Sequence, residues 1–414
     1  MKRMVVLAIL SLGISACAGS KNQTAGTTDA ERQAASEQNS GGAGPFYVWP
    51  KAIPESPGQL LRQEPLEEAL VLENAGSAVR FLYSSRGWND QPVAVSGDAF
   101  TPKGDAPEAG WPILAWSHGT LGVADICAPS FAGHSERDKK FLNKWLAEGY
   151  AIVATDYEGL GTPGGHAYLH CRSEANSNID AVSAARQLGL ALSDRWLVIG
   201  QSQGGQGALC TGAYVAERAQ ALDFRGTLAT APAVNWKQRF SVGTPDEPSP
   251  FVGMSLLLAR GFEVYEPSFD PNEAFTAATL EMMPYTDTAC VGELIGMGMK
   301  ANLTMGESLK IVPFGDIPGA GNGAEKMDVP VEGWSTPVYM AQGTADTLVR
   351  YVDVQNFSAQ LCARGVNVTL DVYEGLEHSG PMNTGFEEFK NWVALRFTDT
   401  PAEGNCGLIE SLAQ

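Results

Sequence analysis

The stretch that decides the fold runs from residue 195 to 204 and reads Arg-Trp-Leu-Val-Ile-Gly-Gln-Ser-Gln-Gly. Its first half is an apolar run typical of a buried strand. Its second half is a Gly-x-Ser-x-Gly motif, and residues 203–219 continue as a helix. A serine on such a strand-to-helix turn has its hydroxyl exposed above the sheet edge, at a helix N-terminus that favours negative charge. The motif therefore predicts that Ser202 is a nucleophile.

Alternating strands and helices surround this turn. Further strands are predicted at 79–86, 93–101, 111–117, 150–155, 224–231, 336–342 and 367–373, and further helices at 138–148, 174–189 and 383–396. Strands that alternate with helices through short connections predict a mostly parallel central sheet with helices on both faces.

The alternation breaks between residues 234 and 333, a stretch rich in methionine and leucine and without a strand signal. An insertion of this kind predicts a mainly helical cap, placed late in the sheet. The chain then divides into a core of residues 45–233 and 334–414 and a cap of residues 234–333. Methionine-rich surfaces adapt to varied apolar ligands, or these methionines only pack the cap onto the core.

A nucleophilic serine needs a base, and the base needs an acid that orients it. On a sheet of this kind the chain order is nucleophile, acid, base. His378 is the only histidine after Ser202, on a loop past the last predicted strand. Asp346 follows the strand at 336–342, whereas the rival Asp353 falls in the next helix. Order and spacing together predict a Ser202–Asp346–His378 triad.

Two loops beside the serine complete the predicted site. The oxyanion of an acyl-transfer intermediate needs two backbone N–H donors. One is the N–H of Gln203, directly after the nucleophile. The other comes from the loop Ser-His-Gly-Thr that starts at Ser117, with Thr120 as the donor and Gly119 as the alternative. Residues 156–161 follow a strand at the same edge and are expected to form a glycine-rich turn, with a place in the pocket wall as the alternative.

The N-terminus predicts export. Two basic residues, a short apolar run and small residues form a signal peptide over residues 1–16. The ending Ile-Ser-Ala-Cys resembles a bacterial lipobox, which implies a lipid on Cys17; an ordinary signal peptide is the alternative. Small and polar residues over 17–44 predict a flexible tether. These features predict a periplasmic or cell-surface lipoprotein held to a membrane by its lipid, and the lack of Asp after Cys17 favours the outer membrane.

Charge excludes one class of partner. The chain carries 47 acidic and 28 basic side chains among 414 residues, a net charge of −19. So acidic a surface repels phosphate backbones, which argues against a nucleic-acid partner. The charge does not identify a substrate, and the sequence leaves the oligomeric state open.

Six cysteines follow Cys17, and an even number in an exported protein predicts disulfides. Six cysteines allow fifteen pairings, of which Cys362–Cys406 is preferred because it ties the last helices to the C-terminal tail. The sequence has no Cys-x-x-Cys, and its histidines lack ligand spacing with the cysteines. No metal site is therefore expected.

Five motifs resemble those of the secretory lipase family of α/β-hydrolases: Ser117-His-Gly-Thr, Cys127-Ala-Pro-Ser, Asp156-Tyr-x-Gly-Leu-Gly, Gly200-Gln-Ser-Gln-Gly-Gly and Gly343-Thr-Ala-Asp. The resemblance runs from about residue 45 to 398. It implies an α/β-hydrolase fold with a cap over the active site, the triad above, and no cofactor or metal. It also implies hydrolysis of carboxylic esters with fatty acyl chains, either simple acyl esters or acylglycerols.

The sequence thus predicts a serine carboxylic-ester hydrolase, a carboxylesterase or triacylglycerol lipase that works through an acyl-enzyme. Two alternatives stay open. A serine peptidase on the same fold would keep the triad but need a site for a peptide amine or carboxylate. A non-catalytic surface lipoprotein would keep the fold for binding and would not need all three groups in the required order.

Overall fold

A computed structural model of the protein describes residues 42–218, 222–242, 249–398 and 400–412. The predicted signal peptide, Cys17 and most of the predicted tether lie outside these described residues. The end of the tether segment is described and packs on the body of the protein. Ala43 is buried, and the Gly42 N–H donates to a carboxylate oxygen of Asp125 at 3.1 Å.

Nine strands form one central sheet: β1 (Leu60–Pro65), β2 (Ala75–Arg86), β3 (Pro92–Pro102), β4 (Trp111–Ser117), β5 (Ala151–Thr155), β6 (Leu192–Gln201), β7 (Asp223–Thr230), β8 (Val338–Gly343) and β9 (Val368–Tyr373). Their spatial order is β1-β2-β3-β5-β4-β6-β7-β8-β9. The strands from β5 to β9 in this order are parallel neighbours, whereas β1, β2 and β3 add an antiparallel end. The carboxyl ends of the six parallel strands therefore meet at one edge.

Helices fill the connections. Those of the core are α1 (Pro129–Ala132), α2 (Glu136–Ala147), α3 (Cys171–Ala185), α4 (Gln203–Arg218), α12 (Tyr351–Cys362), α13 (Gly380–Thr384), α14 (Phe386–Phe397) and α15 (Cys406–Leu412). Those between β7 and β8 are α5 (Trp236–Phe240), α6 (Phe251–Tyr265), α7 (Pro271–Ala274), α8 (Ala277–Leu280), α9 (Val291–Ala301), α10 (Met305–Ser308) and α11 (Ala320–Met327). Short 3₁₀ turns lie at Glu68–Leu70, Asp125–Cys127, Met283–Asp287 and Phe314–Asp316.

The predicted fold class is confirmed. The described residues between β7 and β8 form helices and turns, with a single isolated bridge between Phe275 and Leu309, so the sheet carries a helical insertion late in its order. The strand β1 was not predicted. Its sequence Leu-Leu-Arg-Gln-Glu-Pro has neither alternation nor an apolar run, and its pairing with β2 makes it an edge strand.

Both faces of the central strands are covered. On one face, Trp116 of β4 and Ile199 of β6 pack with side chains of α2 and α14 in one apolar cluster. On the other face, Ala115 and Val198 pack with side chains of α3 and α4. Because neighbouring residues of one strand point to opposite apolar layers, these strands read as continuous apolar runs.

All six cysteines after Cys17 form disulfides: Cys127–Cys290, Cys171–Cys210 and Cys362–Cys406. The preferred pair, Cys362–Cys406, is confirmed. The pair Cys127–Cys290 joins the region after β4 to the start of α9 in the insertion. Among the described residues, no helix has both the length and the apolar character that a membrane span requires.

Candidate active site

Ser202 occupies a sharp turn between β6 and α4. Its φ angle is +61°, in the left-handed region that a residue with a side chain adopts only where the surroundings impose it. The Ser202 N–H donates to the carbonyl of Thr230 at 3.0 Å, and the Ser202 carbonyl accepts from the N–H of Gln206 at 3.0 Å. The turn is thus fixed to the end of β7 on one side and to the first turn of α4 on the other.

The two glycines of the motif are required by close approach of backbones. A Cβ on Gly200 would lie 2.0 Å from the carbonyl oxygen of Gly204. A Cβ on Gly204 would lie 1.8 Å from the carbonyl oxygen of Ser117, the last residue of β4. Only glycine therefore lets the start of α4 lie against the loop that carries Thr120.

Asp346 and His378 are in direct contact. The His378 Nδ1 lies 2.8 Å from the Asp346 Oδ2, which also accepts from the Gln342 side chain at 3.1 Å. The Oδ1 accepts from the backbone N–H groups of Leu348 and Val349, both at 2.9 Å. The Asp346 carboxyl is fully buried, and the imidazole of His378 remains 15% exposed. Four hydrogen-bond donors thus fix the Asp346 carboxylate, and its bond to Nδ1 orients the imidazole ring of His378.

Burial alone would raise the pKa of Asp346, but the hydrogen bond and the charge of His378 and the Val349 N–H outweigh it and lower the pKa below its ordinary value. The carboxylate is therefore ionised at neutral pH. The rival Asp353 lies in α12, where its carboxylate accepts from two guanidinium nitrogens of Arg350 at 2.7 and 2.8 Å.

Backbone bonds hold the loops after β8 and β9 together. The Thr344 N–H donates to the carbonyl of Tyr373, and the Ala345 N–H donates to the carbonyl of Leu376, both at 3.1 Å. A Cβ on Gly343 would lie 2.1 Å from the same Leu376 carbonyl oxygen. Gly343 therefore lets the loop that carries His378 lie directly on the loop that carries Asp346.

One strand separates the serine from this pair. β7 lies between β6 and β8, and the N–H of Ala231, just past β7, donates to the carbonyl of Ala341 in β8 at 2.9 Å. No hydrogen bond joins the Ser202 hydroxyl to His378 among the described residues. In enzymes without bound substrate this bond is often long and shortens when substrate binds.

Of the predicted oxyanion donors, Gln203 begins α4 directly after the serine, and Thr120 lies in the loop after β4, the neighbour of β6. The backbone N–H groups of Thr120 and Gln203 have no acceptor in the part of the chain that the structure describes. The Thr120 hydroxyl is 2.7 Å from the hydroxyl of Tyr168, and the Gln203 side-chain amide donates to Glu174 at 2.8 Å. Each donor residue is thus anchored by its own side chain while its N–H stays available.

Glu174 was not predicted from the sequence. It lies in α3, is buried, and burial raises its pKa to about 8, although the Gln203 amide opposes this shift. The carboxyl is therefore protonated at neutral pH. Nothing in the sequence links residues 174 and 203; the packing of α3 against α4 brings them together.

The Asp-Tyr-x-Gly-Leu-Gly segment does more than turn the chain. The Asp156 carboxylate accepts from the Ser130 N–H at 3.0 Å. Tyr157 has a φ of +71°, and its hydroxyl donates to the carbonyl of His118 at 2.9 Å and bonds the Ser117 hydroxyl at 2.7 Å. Burial lowers the pKa of His118 to about 4, so this histidine is neutral and packs on the Tyr157 ring. These groups hold the loop of Thr120 in place.

An apolar cavity of about 240 Å³ lies between the insertion and the core. Most of its wall comes from the insertion, including Trp236, Phe240, Phe251, Met254, Leu258 and Phe314. The wall facing the core contains Tyr168, the partner of Thr120, and Thr347, the neighbour of Asp346. The cavity is therefore lined by a hydrogen-bond partner of the predicted oxyanion donor and by the chain neighbour of the acid.

A serine on this turn, in a mostly parallel sheet with helices on both faces, defines the class as an α/β-hydrolase. The sequence profile of one family within that class, described as secretory lipase, matches residues 133–405. The chain belongs to the secretory lipase family, as its motifs suggested. The matched range contains Ser202, Asp346 and His378, while Thr120 lies before it.

Solved structures share the fold. The chain is similar to Candida antarctica lipase A in its closed state, with a TM-score of 0.72, 18% identity and 87% of each chain covered. It is also similar to the rice cell wall degrading esterase LipA from Xanthomonas oryzae, with a TM-score of 0.63 and 20% identity over 83% of this chain and 97% of that one. A sequence comparison with curated proteins finds no match. The family supports ester hydrolysis by an exported protein; the likeness of structures at this identity supports the fold.

Proposed function

We propose that the protein is a serine carboxylic-ester hydrolase, a carboxylesterase or lipase, with Ser202 as nucleophile, His378 as base and Asp346 as the acid that orients it. The observation that carries the proposal is the 2.8 Å bond between His378 Nδ1 and a buried, fully bonded Asp346 carboxylate. That bond leaves Nε2 as the free ring nitrogen, at the sheet edge where Ser202 also lies.

Hydrolysis would proceed in two acyl transfers. His378 Nε2 takes the proton of the Ser202 hydroxyl as its oxygen attacks the ester carbonyl, and Asp346 stabilises the imidazolium that forms. The N–H groups of Gln203 and Thr120 bind the oxyanion, and each such donor typically contributes about 3 kcal/mol. His378 then gives its proton to the leaving alcohol. Water, deprotonated by the same imidazole, attacks the acyl-enzyme and releases the acid.

The cavity supports esters with short acyl chains. Its volume of about 240 Å³ is below the roughly 300–1,000 Å³ of pockets for drug-sized ligands. Apolar side chains and the flexible Met254 in its wall suit alkyl groups of varied shape. Simple acyl esters and short-chain acylglycerols are therefore the proposed substrates.

A series of p-nitrophenyl esters from acetate to palmitate, with the purified full-length protein, tests the proposal. The Ser202→Ala variant is expected to lose nearly all turnover and all labelling by a fluorophosphonate probe, with its melting temperature retained. Ser411→Ala removes an exposed hydroxyl in the C-terminal helix α15 and serves as the matched control. Turnover that survives in Ser202→Ala, or an unlabelled wild-type protein, would contradict the proposed mechanism.

We also propose that a lipid on Cys17 attaches the protein to a membrane, with the outer membrane favoured. The lipobox-like sequence supports the lipid, the family's description supports export, and the lack of Asp after Cys17 supports the outer membrane. A bio-orthogonal fatty acid fed to expressing bacteria is expected to label the wild-type protein and not Cys17→Ser, and the variant should move to the soluble fraction. A wild-type protein without label would mean that the N-terminus is an ordinary signal peptide, and equal labelling of both proteins would mean that Cys17 is not the lipidated residue.

A further inference from the structure

Arg239 places a positive charge in the wall of the apolar cavity. It lies in α5, at the start of the insertion, and lines the cavity with Trp236 and Phe251. Its guanidinium carbon is 5.4 Å from the centre of the Trp236 ring and 4.9 Å from that of Phe251. Aromatic faces hold a planar guanidinium by cation–π contact and leave its edge, where the N–H groups are, available to an acceptor.

No acceptor in the described residues takes these N–H groups. Asp353 and Asp346 are close enough to act on the charge of Arg239, but both carboxylates are bonded elsewhere. Asp353 accepts from two nitrogens of Arg350, and Asp346 accepts from His378 and three other donors. A guanidinium has five N–H donors, so Arg239 has spare donors beside the site.

The guanidinium stays charged at neutral pH. Burial lowers its pKa to about 10, with Arg350 acting in the same direction and Asp353 and Asp346 opposing. A half-buried cation without a hydrogen-bond acceptor is costly, because it has lost part of its hydration without gaining a partner. An anionic group that entered the cavity would supply the missing acceptor, and bidentate carboxylate–guanidinium bonds are among the strong ones.

The cavity wall also contains two residues that contact or adjoin the proposed site. Its wall includes Tyr168, which bonds Thr120, and Thr347, which follows Asp346. A ligand in this cavity would therefore contact Tyr168 and Thr347 on the side of the core, and the aromatic wall and Arg239 on the side of the insertion. The walls suit methylene groups, and the cation suits a carboxylate on the same molecule.

We infer that the preferred substrates are esters that bear a free carboxylate, bound by Arg239, on the portion that enters the cavity. This inference rests on the proposed ester hydrolysis and adds the substrate class. The carboxylate takes no part in bond making: water still cleaves the acyl–oxygen bond and gives an acid and an alcohol. The carboxylate belongs either to the acyl chain, as in a dicarboxylic monoester, or to the alcohol.

Two matched pairs of esters test whether the carboxylate belongs to the acyl chain or to the alcohol. Mono-p-nitrophenyl adipate against p-nitrophenyl hexanoate tests a carboxylate on the acyl chain, and 4-carboxyphenyl butyrate against phenyl butyrate tests one on the alcohol. In at least one pair, the wild-type protein should show the higher kcat/KM on the charged ester. Arg239→Met keeps an unbranched apolar side chain without the guanidinium and should lower the charged-to-neutral ratio of kcat/KM about 10- to 100-fold, as expected for hydrogen bonds to a charged group.

Lys237→Met is the matched control, because it removes one positive charge from the same helix at an exposed position paired with Glu325. Lys237→Met should leave the charged-to-neutral ratio of kcat/KM unchanged. Arg239→Lys should retain part of the preference that Arg239→Met loses. An equal ratio in wild type and Arg239→Met would overturn the inference, and so would an equal fall in Lys237→Met. A lower melting temperature of Arg239→Met with an unchanged ratio would assign Arg239 a structural role only.

Calorimetry with adipate and hexanoate separates the inference from the proposed function. Adipate should bind more tightly to the wild-type protein than to the Arg239→Met variant, even if no ester is cleaved. Absent turnover together with Arg239-dependent adipate binding would reject ester hydrolysis and keep the anion site. Turnover without any effect of Arg239 on either binding or ratio would keep ester hydrolysis and reject the anion site.

Discussion

The Glu174 carboxyl is a buried acid that supports the residue after the proposed nucleophile. One of its oxygens accepts from Gln203, and the other has no partner among the described residues. Its pKa of about 8 means that the folded protein keeps this proton well above the pH at which an unfolded chain loses it. Between these two pKa values the folded state binds more protons, so the stability that this group contributes falls as pH rises.

The Glu174→Gln variant tests the direction of this pH dependence of stability. An amide keeps an oxygen acceptor for Gln203 but carries no titratable proton. Relative to the variant, the free energy of unfolding of the wild-type protein should fall from pH 5 to pH 8. The fall should reach about 1.4 kcal/mol per pH unit where the folded state binds one proton more than the unfolded state. Urea unfolding at four pH values measures it. Glu73→Gln, at an exposed position, is the control, and parallel curves for wild type and Glu174→Gln would refute the raised pKa.

At the scale of elements, the loops after β8 and β9 act as one unit because Gly343 lets them touch. A Cβ at this position would lie 2.1 Å from the carbonyl oxygen of Leu376, two residues before His378. Gly343→Ala should push the histidine loop away from its position and lower kcat/KM for p-nitrophenyl butyrate at least tenfold, since misplacement by about 1 Å is enough to cost 100-fold.

The matched control is Gly296→Ala in α9, where a Cβ meets nothing within 4 Å. In a helix interior this change should be neutral or stabilising by about 0.5–1 kcal/mol. Initial rates and melting temperatures of both variants check the prediction. A Gly343→Ala protein with wild-type kcat/KM would show that the loops after β8 and β9 are not coupled as the backbone bonds suggest.

The same elements show what the sequence could and could not predict. Strands such as β4 and β6 are buried on both faces, so local apolar runs reveal them. The edge strand β1 owes its conformation to a partner strand, and its local sequence carries no signal. In the site, chain order pointed to Asp346 and His378, but the side chains that anchor the two proposed oxyanion donors were missed. The bond from Gln203 to Glu174 spans 29 residues and that from Thr120 to Tyr168 spans 48, so only packing pairs them.

At the scale of the whole molecule, one disulfide connects the insertion to the site. Cys127 and Cys290 are 163 residues apart in the chain, and the Val291 N–H beside this bridge donates to the carbonyl of Leu121 at 2.7 Å. Leu121 directly follows Thr120. The start of α9 is thus fixed to the loop that carries the proposed oxyanion donor, and any movement of the insertion is coupled to that loop.

Two double variants separate this coupling from general stabilisation. Removing either native disulfide should cost about 2–5 kcal/mol of unfolding free energy, since each bridge restricts the unfolded chain. Cys127→Ser with Cys290→Ser should also lower kcat for p-nitrophenyl butyrate, because the loop of Thr120 loses its brace. Cys362→Ser with Cys406→Ser removes the bridge to the C-terminal helix and should lower the melting temperature while kcat at 25 °C is retained. Equal effects of the two pairs on kcat would mean that the bridge at Cys127 stabilises the fold without positioning the oxyanion loop.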